Sequence, residues 1–357
     1  MNKKNIKKRQ IAMVIDLNKC IGCQTCTVTC DTMWTNRNGR EYMYWNNVET
    51  VPGKGYPKNW QDMGGGFDAS GGLKDGKIPN MKKEYGIPWD YNYDEIINAK
   101  EFKPKNEPIW GANWDEEKGS EDDEKQKYFF NLPRICNHCS NPSCVSACPN
   151  DAIFKREQDG IVLVDMDKCQ GCRECIAACP YKKIYFNPKI SKSEKCNFCF
   201  PLIERGLPPA CASSCVGRTR FVGFLDDEEG QVYKLVTKYK VALPLRADFG
   251  VEPNVYYVPP FLSPDKLDEE GKIIENSDRI PMDELEKLFG QEVYDAVKLL
   301  KKEKRNKQIN KKSELMDMLI AYKQEDMFRL DGDYYQKISE KQKLDNRYLR
   351  GKETSVD

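Results

Sequence analysis

Residues 169–180 read Cys-Gln-Gly-Cys-Arg-Glu-Cys-Ile-Ala-Ala-Cys-Pro. Three of the four cysteines stand three residues apart, and the last follows four residues later, directly before proline. This spacing is typical of chains that bind a cubane iron–sulfur cluster and lend the last cysteine to a neighbouring cluster. A tetrahedral zinc site usually takes two separated Cys-x-x-Cys pairs and fits this density less well. The stretch therefore predicts iron–sulfur binding.

The other cysteines repeat this pattern along the chain. All 16 cysteines fall into four quartets, and each quartet closes with Cys-x-x-x-Cys. The quartets are Cys20, Cys23, Cys26 and Cys30; Cys136, Cys139, Cys144 and Cys148; Cys169, Cys172, Cys175 and Cys179; and Cys196, Cys199, Cys211 and Cys215. Disulfide frameworks belong mainly to short secreted chains, and cysteines three residues apart bridge each other poorly. Disulfides and zinc remain the alternatives to iron–sulfur clusters.

Length and composition bound the class of protein. The chain has 357 residues, of which 39% are apolar and 32% charged, and its formal net charge is +1. This length predicts two or three domains, and the charge predicts no nucleic-acid partner. No apolar run approaches the ~18 residues of a membrane span. The apolar stretch at 11–15 is too short for a signal-peptide core, so we expect no export signal in this chain.

A long segment without cysteines, residues 31–131, separates the first two quartets. Glycine, proline and asparagine are frequent in it, which favours irregular structure. It also holds every tryptophan of the chain, namely Trp34, Trp45, Trp60, Trp89, Trp110 and Trp114. A disordered linker would be poor in aromatic residues. We therefore expect an ordered insertion that either covers the protein's own cluster core or forms part of a subunit interface.

Short strands are predicted beside the quartets, at 11–16, 183–186 and 220–224, with a hairpin formed by 152–156 and 160–165. A two-cluster ferredoxin is built from a cysteine loop followed by a short helix and a strand. This order of elements occurs twice in the chain. Because the last cysteine of each motif ligates the other cluster, the second and third quartets should pair, and the first and fourth are left to pair around them. The predicted fold is α+β, with two nested ferredoxin-like modules.

The predicted domains follow from this nesting. They are one module of 8–30 with 190–225, a second module of 132–189, the insertion at 31–131, and a helical C-terminal extension at 226–357. In the extension, apolar residues recur at helical spacing between 283 and 302, and a second helix is predicted at 315–322. We expect these apolar stripes to pack on the protein's own body and not in a partner's groove.

Other chemistry receives little support from the sequence. His138 is the only histidine, which excludes a haem with two histidine ligands. It could donate a hydrogen bond to cluster sulfur, but we expect a solvent-facing loop residue. No nucleotide-binding glycine motif and no nucleophile triad is present. We therefore predict no catalytic site in this chain.

Several stretches resemble one protein family. They are Leu-Pro-Arg-Ile-Cys-Asn-His-Cys at 132–139, Ala-Cys-Pro-Tyr-Lys-Lys-Ile-Tyr-Phe-Asn at 178–187, Ser-Glu-Lys-Cys-Asn-Phe-Cys at 193–199 and Cys-Val-Gly-Arg at 215–218. The chain resembles the four-cluster electron-transfer (beta) subunits of the dimethyl sulfoxide reductase group of molybdoenzymes. The nearest branch contains nitrate reductase, nitrite oxidoreductase, ethylbenzene dehydrogenase and perchlorate reductase. Stretches at 44–49, 110–114 and 258–260 also resemble this branch, and the similarity covers about 8–262.

The resemblance implies four [4Fe-4S] clusters in a line and assigns their ligands. The first cluster, nearest the catalytic subunit, takes Cys20, Cys23, Cys26 and Cys215. The second cluster takes Cys30, Cys196, Cys199 and Cys211. The third takes Cys136, Cys139, Cys144 and Cys179, and the fourth takes Cys148, Cys169, Cys172 and Cys175. The fourth cluster would face a haem subunit or another acceptor.

The chain departs from the family at Cys172. Nitrate reductase has tryptophan here, and several relatives have another residue without a thiol, which leaves a [3Fe-4S] cluster. A thiolate at this position supplies the fourth ligand, so we predict a fourth cubane. The additional charged ligand should also lower the potential of that cluster relative to a three-iron centre.

The implied function is one-electron transfer without a catalytic site. The implied partners are a large molybdopterin (bis-MGD) catalytic subunit and a haem b subunit, a membrane anchor or another acceptor. A stand-alone polyferredoxin and a zinc-bound scaffold are the alternatives. For localisation we expect an extracytoplasmic position reached by co-export with the catalytic subunit, with the cytoplasmic face of the membrane as the alternative.

Overall fold

The protein is seen in a computed structural model that describes residues 9–86, 98, 119–120 and 127–341, except 264, 269, 275 and 276. The strands are β1 (Ile11–Asp16), β2 (Asn47–Val51), β3 (Phe130–Arg134), β4 (Ile153–Lys155), β5 (Val162–Val164), β6 (Ile184–Asn187), β7 (Lys192–Lys195), β8 (Arg220–Phe224), β9 (Leu243–Pro244), β10 (Val255–Val258), β11 (Lys266–Leu267), β12 (Ile273–Ile274) and β13 (Phe328–Arg329). The helices are α1 (Thr25–Cys30), α2 (Ser143–Ser146), α3 (Glu174–Ala178), α4 (Phe200–Ile203), α5 (Ala210–Ser213), α6 (Gln231–Tyr233), α7 (Met282–Phe289), α8 (Val293–Gln308), α9 (Glu314–Ile320) and α10 (Gly332–Lys341). The predicted mixture of helices and sheets is confirmed.

A five-stranded sheet in the order β13-β8-β1-β10-β9 forms the centre of the fold. β1 pairs antiparallel with β8 and parallel with β10, so that Met13 lies between Val222 and Val255. The apolar residues of β1 are completely buried on both faces of the sheet. This explains why the strand is a continuous apolar run and does not alternate between apolar and polar residues. The predicted strand at 11–16 is confirmed. β9, β10 and β13 join the sheet from the C-terminal extension and were not predicted.

Small antiparallel sheets surround this centre. β4 pairs with β5, which confirms the predicted hairpin with shorter strands, and β6 pairs with β7. β2 pairs with β3, from Asn47 opposite Arg134 to Val51 opposite Phe130, so main-chain hydrogen bonds join a strand within the insertion to the strand at its C-terminal boundary. Most of the described part of the insertion is irregular.

The described part of the insertion packs on the protein's own body. Trp60 is 1% exposed, and the guanidinium of Arg134 lies 3.6 Å from the centre of its ring. The N–H of Gly66 donates to the carbonyl of Ala178 (2.9 Å), directly beside Cys179. Of the two roles expected for this segment, covering the core is thus observed for these residues. Three of the tryptophans lie outside the described residues, namely Trp89, Trp110 and Trp114.

The C-terminal helices differ from the prediction. A single helix over 283–302 is wrong, because Gly290 (φ +78°) ends α7 and α8 begins at Val293. The left-handed Ala321 ends α9 before Tyr322, which is 64% exposed. The apolar stripes of these helices lie in the main core, so the prediction that they pack on the protein's own body is confirmed. None of the described helices combines the length and apolarity needed to cross a membrane.

Two glycines of the insertion provide a test of this packing. Gly66 and Gly71 share a φ of +83°, but a Cβ at position 66 would collide with the carbonyl oxygen of Phe249, whereas position 71 is open. We expect Gly71→Ala to cost about 1 to 2 kcal/mol through backbone strain. Gly66→Ala should cost about 1 to 3 kcal/mol more, because the carbonyl must move. Thermal unfolding under anaerobic conditions measures both; equal melting temperatures would contradict the packing.

Candidate iron–sulfur centres

The 16 cysteines line four cavities, four to each cavity. The first cavity is lined by Cys20, Cys23, Cys26 and Cys215, and the second by Cys30, Cys196, Cys199 and Cys211. The third is lined by Cys136, Cys139, Cys144 and Cys179, and the fourth by Cys148, Cys169, Cys172 and Cys175. All 16 are free thiols, which removes the disulfide alternative.

Pairing of β1 with β8 brings the first and fourth quartets together. α1 follows β1 and carries Cys26 and Cys30, whereas α5 precedes β8 and carries Cys211. α1 and α5 contact each other beside the sheet. Each quartet consequently lends its last cysteine to the other, since Cys30 lines the second cavity and Cys215 the first.

The second and third quartets meet in the same way. α2 carries Cys144 and packs against α3, which carries Cys175. The hydroxyl of Ser143 donates to the carbonyl of Ala178 (2.8 Å) and joins the two motifs. Cys179 therefore reaches the third cavity, which is also lined by Val162 of β5 and Ile184 of β6.

Glycine after the first cysteine of two quartets permits a tight turn. Gly22 has φ +69° and Gly171 has φ +70°, a region that glycine enters without strain. The N–H of Gly22 donates to the thiol of Cys20. At Gly171 a Cβ would collide with the carbonyl oxygen of Ser191. Both positions require glycine for backbone conformation, and position 171 requires it for space as well.

Burial keeps most of the thiols neutral in the absence of a metal. It raises the pKa of Cys20 to about 11 and the pKa of Cys175 and Cys211 to about 12. Iron binds thiolate, so each of these sites must lose a proton when iron binds. In the described part of the chain, no three histidine, cysteine or acidic side chains are close enough to share one metal ion. The thiols of each cavity surround a larger space.

Main-chain N–H groups point at the cysteine sulfurs from several loops. The acceptors are Cys148 (from Ala152, 3.3 Å), Cys169 (from Ser193, 3.4 Å), Cys196 (from Phe198, 3.3 Å) and Cys215 (from Thr219, 3.5 Å). In addition, the indole N–H of Trp34 donates to Cys199 (3.3 Å). Hydrogen bonds of this kind stabilise thiolates and raise the potential of a cluster, because reduction adds negative charge.

His138 is placed differently from the expectation. It is 1% exposed and lines the third cavity, so the prediction of a solvent-facing residue is wrong. Its Nδ1 accepts the N–H of Val162 (3.0 Å), which leaves the proton of the neutral ring on Nε2. Burial, with Lys195 and Lys155 nearby, holds the pKa of His138 well below its usual value. A neutral ring with a proton on Nε2 is a hydrogen-bond donor, which is the alternative role that the sequence leaves open for His138.

Three buried nitrogen atoms at the cavities lack a hydrogen-bond partner among the described residues. They are Nε1 of Trp45 at the second cavity, Nε2 of His138 at the third and Nε of Arg220 at the first. An unpaired buried donor costs about 1 to 3 kcal/mol. Sulfide and thiolate sulfur of an iron–sulfur cluster would accept such bonds. The donor set, all thiols with unpaired N–H groups beside them, therefore fits the cluster that the sequence predicts.

Buried and half-buried cations accompany the thiols, and cysteine spacing gave no indication of them. Nζ of Lys195 donates to the carbonyl of Cys196 (2.8 Å), and Nζ of Lys155 to the carbonyl of Cys139 (3.1 Å). Arg220 contacts cysteine sulfur directly. Burial lowers the pKa of Arg220, but the negative charge of thiolates at Cys26, Cys211 and other nearby cysteines raises that pKa above its usual value. In the sequence, these cations could be found only as basic residues close to a cysteine quartet.

Comparison with known proteins agrees with this geometry. A family model described as a 4Fe-4S dicluster domain matches residues 127–225. The chain is 56% identical to the beta subunit of dimethylsulfide dehydrogenase from Rhodovulum sulfidophilum, over 90% of this chain and 99% of that protein. It is 51% identical to the beta subunit of selenate reductase from Thauera selenatis, over 90% and 99% of the two chains. It is 50% identical to the beta subunit of respiratory nitrate reductase from Haloferax mediterranei, over 90% and 94%.

Identity of this level extends over nine-tenths of the chain, far beyond the cysteine motifs alone. It confirms the family resemblance carried by the stretches around the quartets. The chain belongs to the family of iron–sulfur, electron-transferring beta subunits of molybdoenzyme complexes.

Proposed function

We propose that this chain carries single electrons through four [4Fe-4S] clusters, one in each cysteine-lined cavity. The observation that carries the proposal is the division of 16 thiols into four sets of four. The proposed ligands are Cys20, Cys23, Cys26 and Cys215 for the first cluster; Cys30, Cys196, Cys199 and Cys211 for the second; Cys136, Cys139, Cys144 and Cys179 for the third; and Cys148, Cys169, Cys172 and Cys175 for the fourth. The clusters supply the redox chemistry, and the chain has no catalytic site of its own.

The proposed organisation is two nested ferredoxin-like modules. Pairing of β1 with β8 supports one module built from 8–30 and 190–225. The contact of α2 with α3 and the hairpins β4–β5 and β6–β7 support the other module at 132–189. The insertion and the C-terminal extension then pack around both modules.

The proposed electron route enters at one end of this series and leaves at the other. Of the 16 cysteines, Cys23 and Cys172 are exposed, and they belong to the first and fourth clusters. The cysteines of the second and third clusters are buried or half-buried. Exposed ligands at the ends and covered ligands in the middle suit a relay that exchanges electrons with partners only at its ends.

The two ends present different surfaces. Beside the first cluster, Ile21 and Val216 are 69% and 68% exposed, and an apolar surface suits a permanent partner. Beside the fourth cluster, Gln170, Arg173 and Glu174 are exposed and polar. We assign the apolar end to a large molybdopterin (bis-MGD) catalytic subunit. The polar end would meet a haem b subunit, a membrane anchor or another acceptor.

The proposed location is extracytoplasmic, reached by export together with the catalytic subunit. The resemblance to the ethylbenzene dehydrogenase and perchlorate reductase branch supports it. Fractionation of cells that produce the intact complex tests it, and recovery of the complex on the cytoplasmic face of the membrane would favour the alternative.

Co-purification tests the function. Produced with its large subunit under anaerobic conditions, the chain should be isolated as a complex containing molybdopterin. The clusters of this chain should contribute about sixteen iron and sixteen sulfide to each complex. Reduced methyl viologen should reduce the clusters. Isolation as a soluble monomer would favour a stand-alone carrier, and zinc in place of iron would contradict the clusters.

A matched pair of variants tests the apolar end. Val216→Asp should abolish the complex, because it places a charge in the partner interface, while the iron content of the chain stays the same. Ile273→Asp is the control, since Ile273 is 67% exposed on the separate hairpin β11–β12. Size-exclusion chromatography measures the complex. Equal yields of complex from the two variants would contradict the assignment.

Cys172 determines the nuclearity of the fourth cluster. The oxidised wild-type protein should show no stoichiometric three-iron signal in electron paramagnetic resonance. Cys172→Ala should show one and should raise the potential of that cluster, because a negatively charged ligand is lost. Gln170→Ala, in the same exposed loop, is the control. A full three-iron signal in the wild-type protein would contradict four cubanes.

His138 should donate a hydrogen bond to sulfur of the third cluster. We expect His138→Phe to lower the midpoint potential of that cluster, because the donor stabilises the more negative reduced form. His138→Gln retains an N–H donor and should lower the midpoint potential less. Potentiometric titration followed by electron paramagnetic resonance measures both. An unchanged potential in His138→Phe at full iron content would contradict this role.

A further inference from the structure

Arg220 lies between the first and second cavities. It is the first residue of β8, stands opposite Ile15 of β1 and is 1% exposed. Nη2 lies 3.4 Å from Sγ of Cys26, which lines the first cavity, and Nη1 lies 3.5 Å from Sγ of Cys211, which lines the second. One guanidinium thus contacts a thiol of each set.

The surroundings fix this guanidinium in place. Nη2 also donates to Oδ1 of Asn46 (2.8 Å), and Asn46 is itself 2% exposed. Nη1 lies 3.6 Å from Sδ of Met13. Asn46 precedes β2, so the insertion helps to orient the arginine. A side chain held by two elements cannot swing away from either sulfur without losing a buried hydrogen bond.

No carboxylate in the described part of the chain forms an ion pair with Arg220. A buried charge is costly unless it is paired. The thiolates of Cys26 and Cys211 are the groups placed to neutralise it. The lysines at the cavities, Lys195 beside Cys196 of the second and Lys155 beside Cys139 of the third, donate to main-chain carbonyls. The contact of Arg220 with sulfur is therefore of a different kind.

We propose that Arg220 is a shared positioning residue that links the first and second clusters and holds both midpoint potentials up. This inference rests on the proposed function. Each reduction adds one negative charge to a cluster, and a cation next to a ligand sulfur stabilises the reduced form. Because the two clusters share the cation, its removal must affect both potentials.

In this proposal the same contacts would also serve as a route for the electron. The path from Cys26 to Cys211 consists of a hydrogen bond to Nη2, the bonds Nη2–Cζ and Cζ–Nη1, and a hydrogen bond from Nη1. Clusters held at these cysteines would exchange one electron, so that the oxidation of one would balance the reduction of the other. The guanidinium keeps all its protons, as arginine does throughout the accessible pH range. Proton transfer is not part of this step.

The test is a potentiometric titration of the complex, followed by electron paramagnetic resonance. We expect Arg220→Gln to shift the potentials of the first and second clusters downward and to leave the third and fourth unchanged. Arg220→Lys keeps the charge but cannot contact both sulfurs in the same way, so both potentials should shift less. The variants Cys23→Ser and Cys199→Ser assign the signals of the first and second clusters.

Arg218→Gln is the matched control. Arg218 lies two residues before Arg220, is exposed and donates to the main-chain carbonyls of Ala321 (3.2 Å) and Tyr322 (2.7 Å). Its loss should leave all four potentials unchanged.

The possible results separate the two proposals. Unchanged potentials in Arg220→Gln at full iron content, or a shift of one cluster alone, would overturn the shared role. If Arg220→Gln fails to assemble its clusters, the potentials of Arg220→Lys provide the test. An equal shift of all four potentials in that variant would overturn the shared role of Arg220. A wild-type complex with fewer than four clusters would instead overturn the proposed function.

Discussion

Exchange of the last cysteine between two motifs is the constraint on which the rest of the structure depends. Cys30 belongs to the space lined by the fourth quartet, and Cys215 to the space lined by the first, although 185 residues separate them in the chain (215 − 30). The antiparallel pairing of β1 with β8 satisfies this constraint, because it fixes both motifs on neighbouring strands. The other elements must then be placed around this pair. Metal ligation strengthens it, since the energy of binding a cluster is also energy of folding.

Buried polar groups of the protein need the clusters as hydrogen-bond partners. Trp45, His138 and Arg220 each leave a nitrogen unpaired in the described structure, at three different cavities. In a core built for its own stability, such groups would be paired or absent. Here the missing acceptors are the sulfurs expected inside the cavities. The same N–H groups that complete the folded state would also stabilise the reduced clusters, so that folding and redox tuning depend on the same contacts.

Cysteine spacing predicted the four quartets that line the cavities and the strands next to them, because the geometry of such motifs is encoded locally in the sequence. It did not predict β10, which pairs in parallel with β1 from a position more than 200 residues away and has no local signal. Helical periodicity continued through Gly290, where the left-handed backbone breaks the helix. The burial of His138 and the contacts of Arg220 depend on elements distant in sequence. The sequence shows that these residues are present, but it does not show which distant residues they contact.

The insertion is more than a cover for the clusters. It contains no cysteine, yet Trp34 donates to Cys199, Trp45 lines the second cavity and Asn46 orients Arg220. A small soluble ferredoxin needs only its loops and strands to hold its clusters. A chain that uses part of a long insertion to set hydrogen bonds at buried cysteines has fixed the environment of those sites. That arrangement favours a permanent subunit with a defined route over a free carrier that serves many partners.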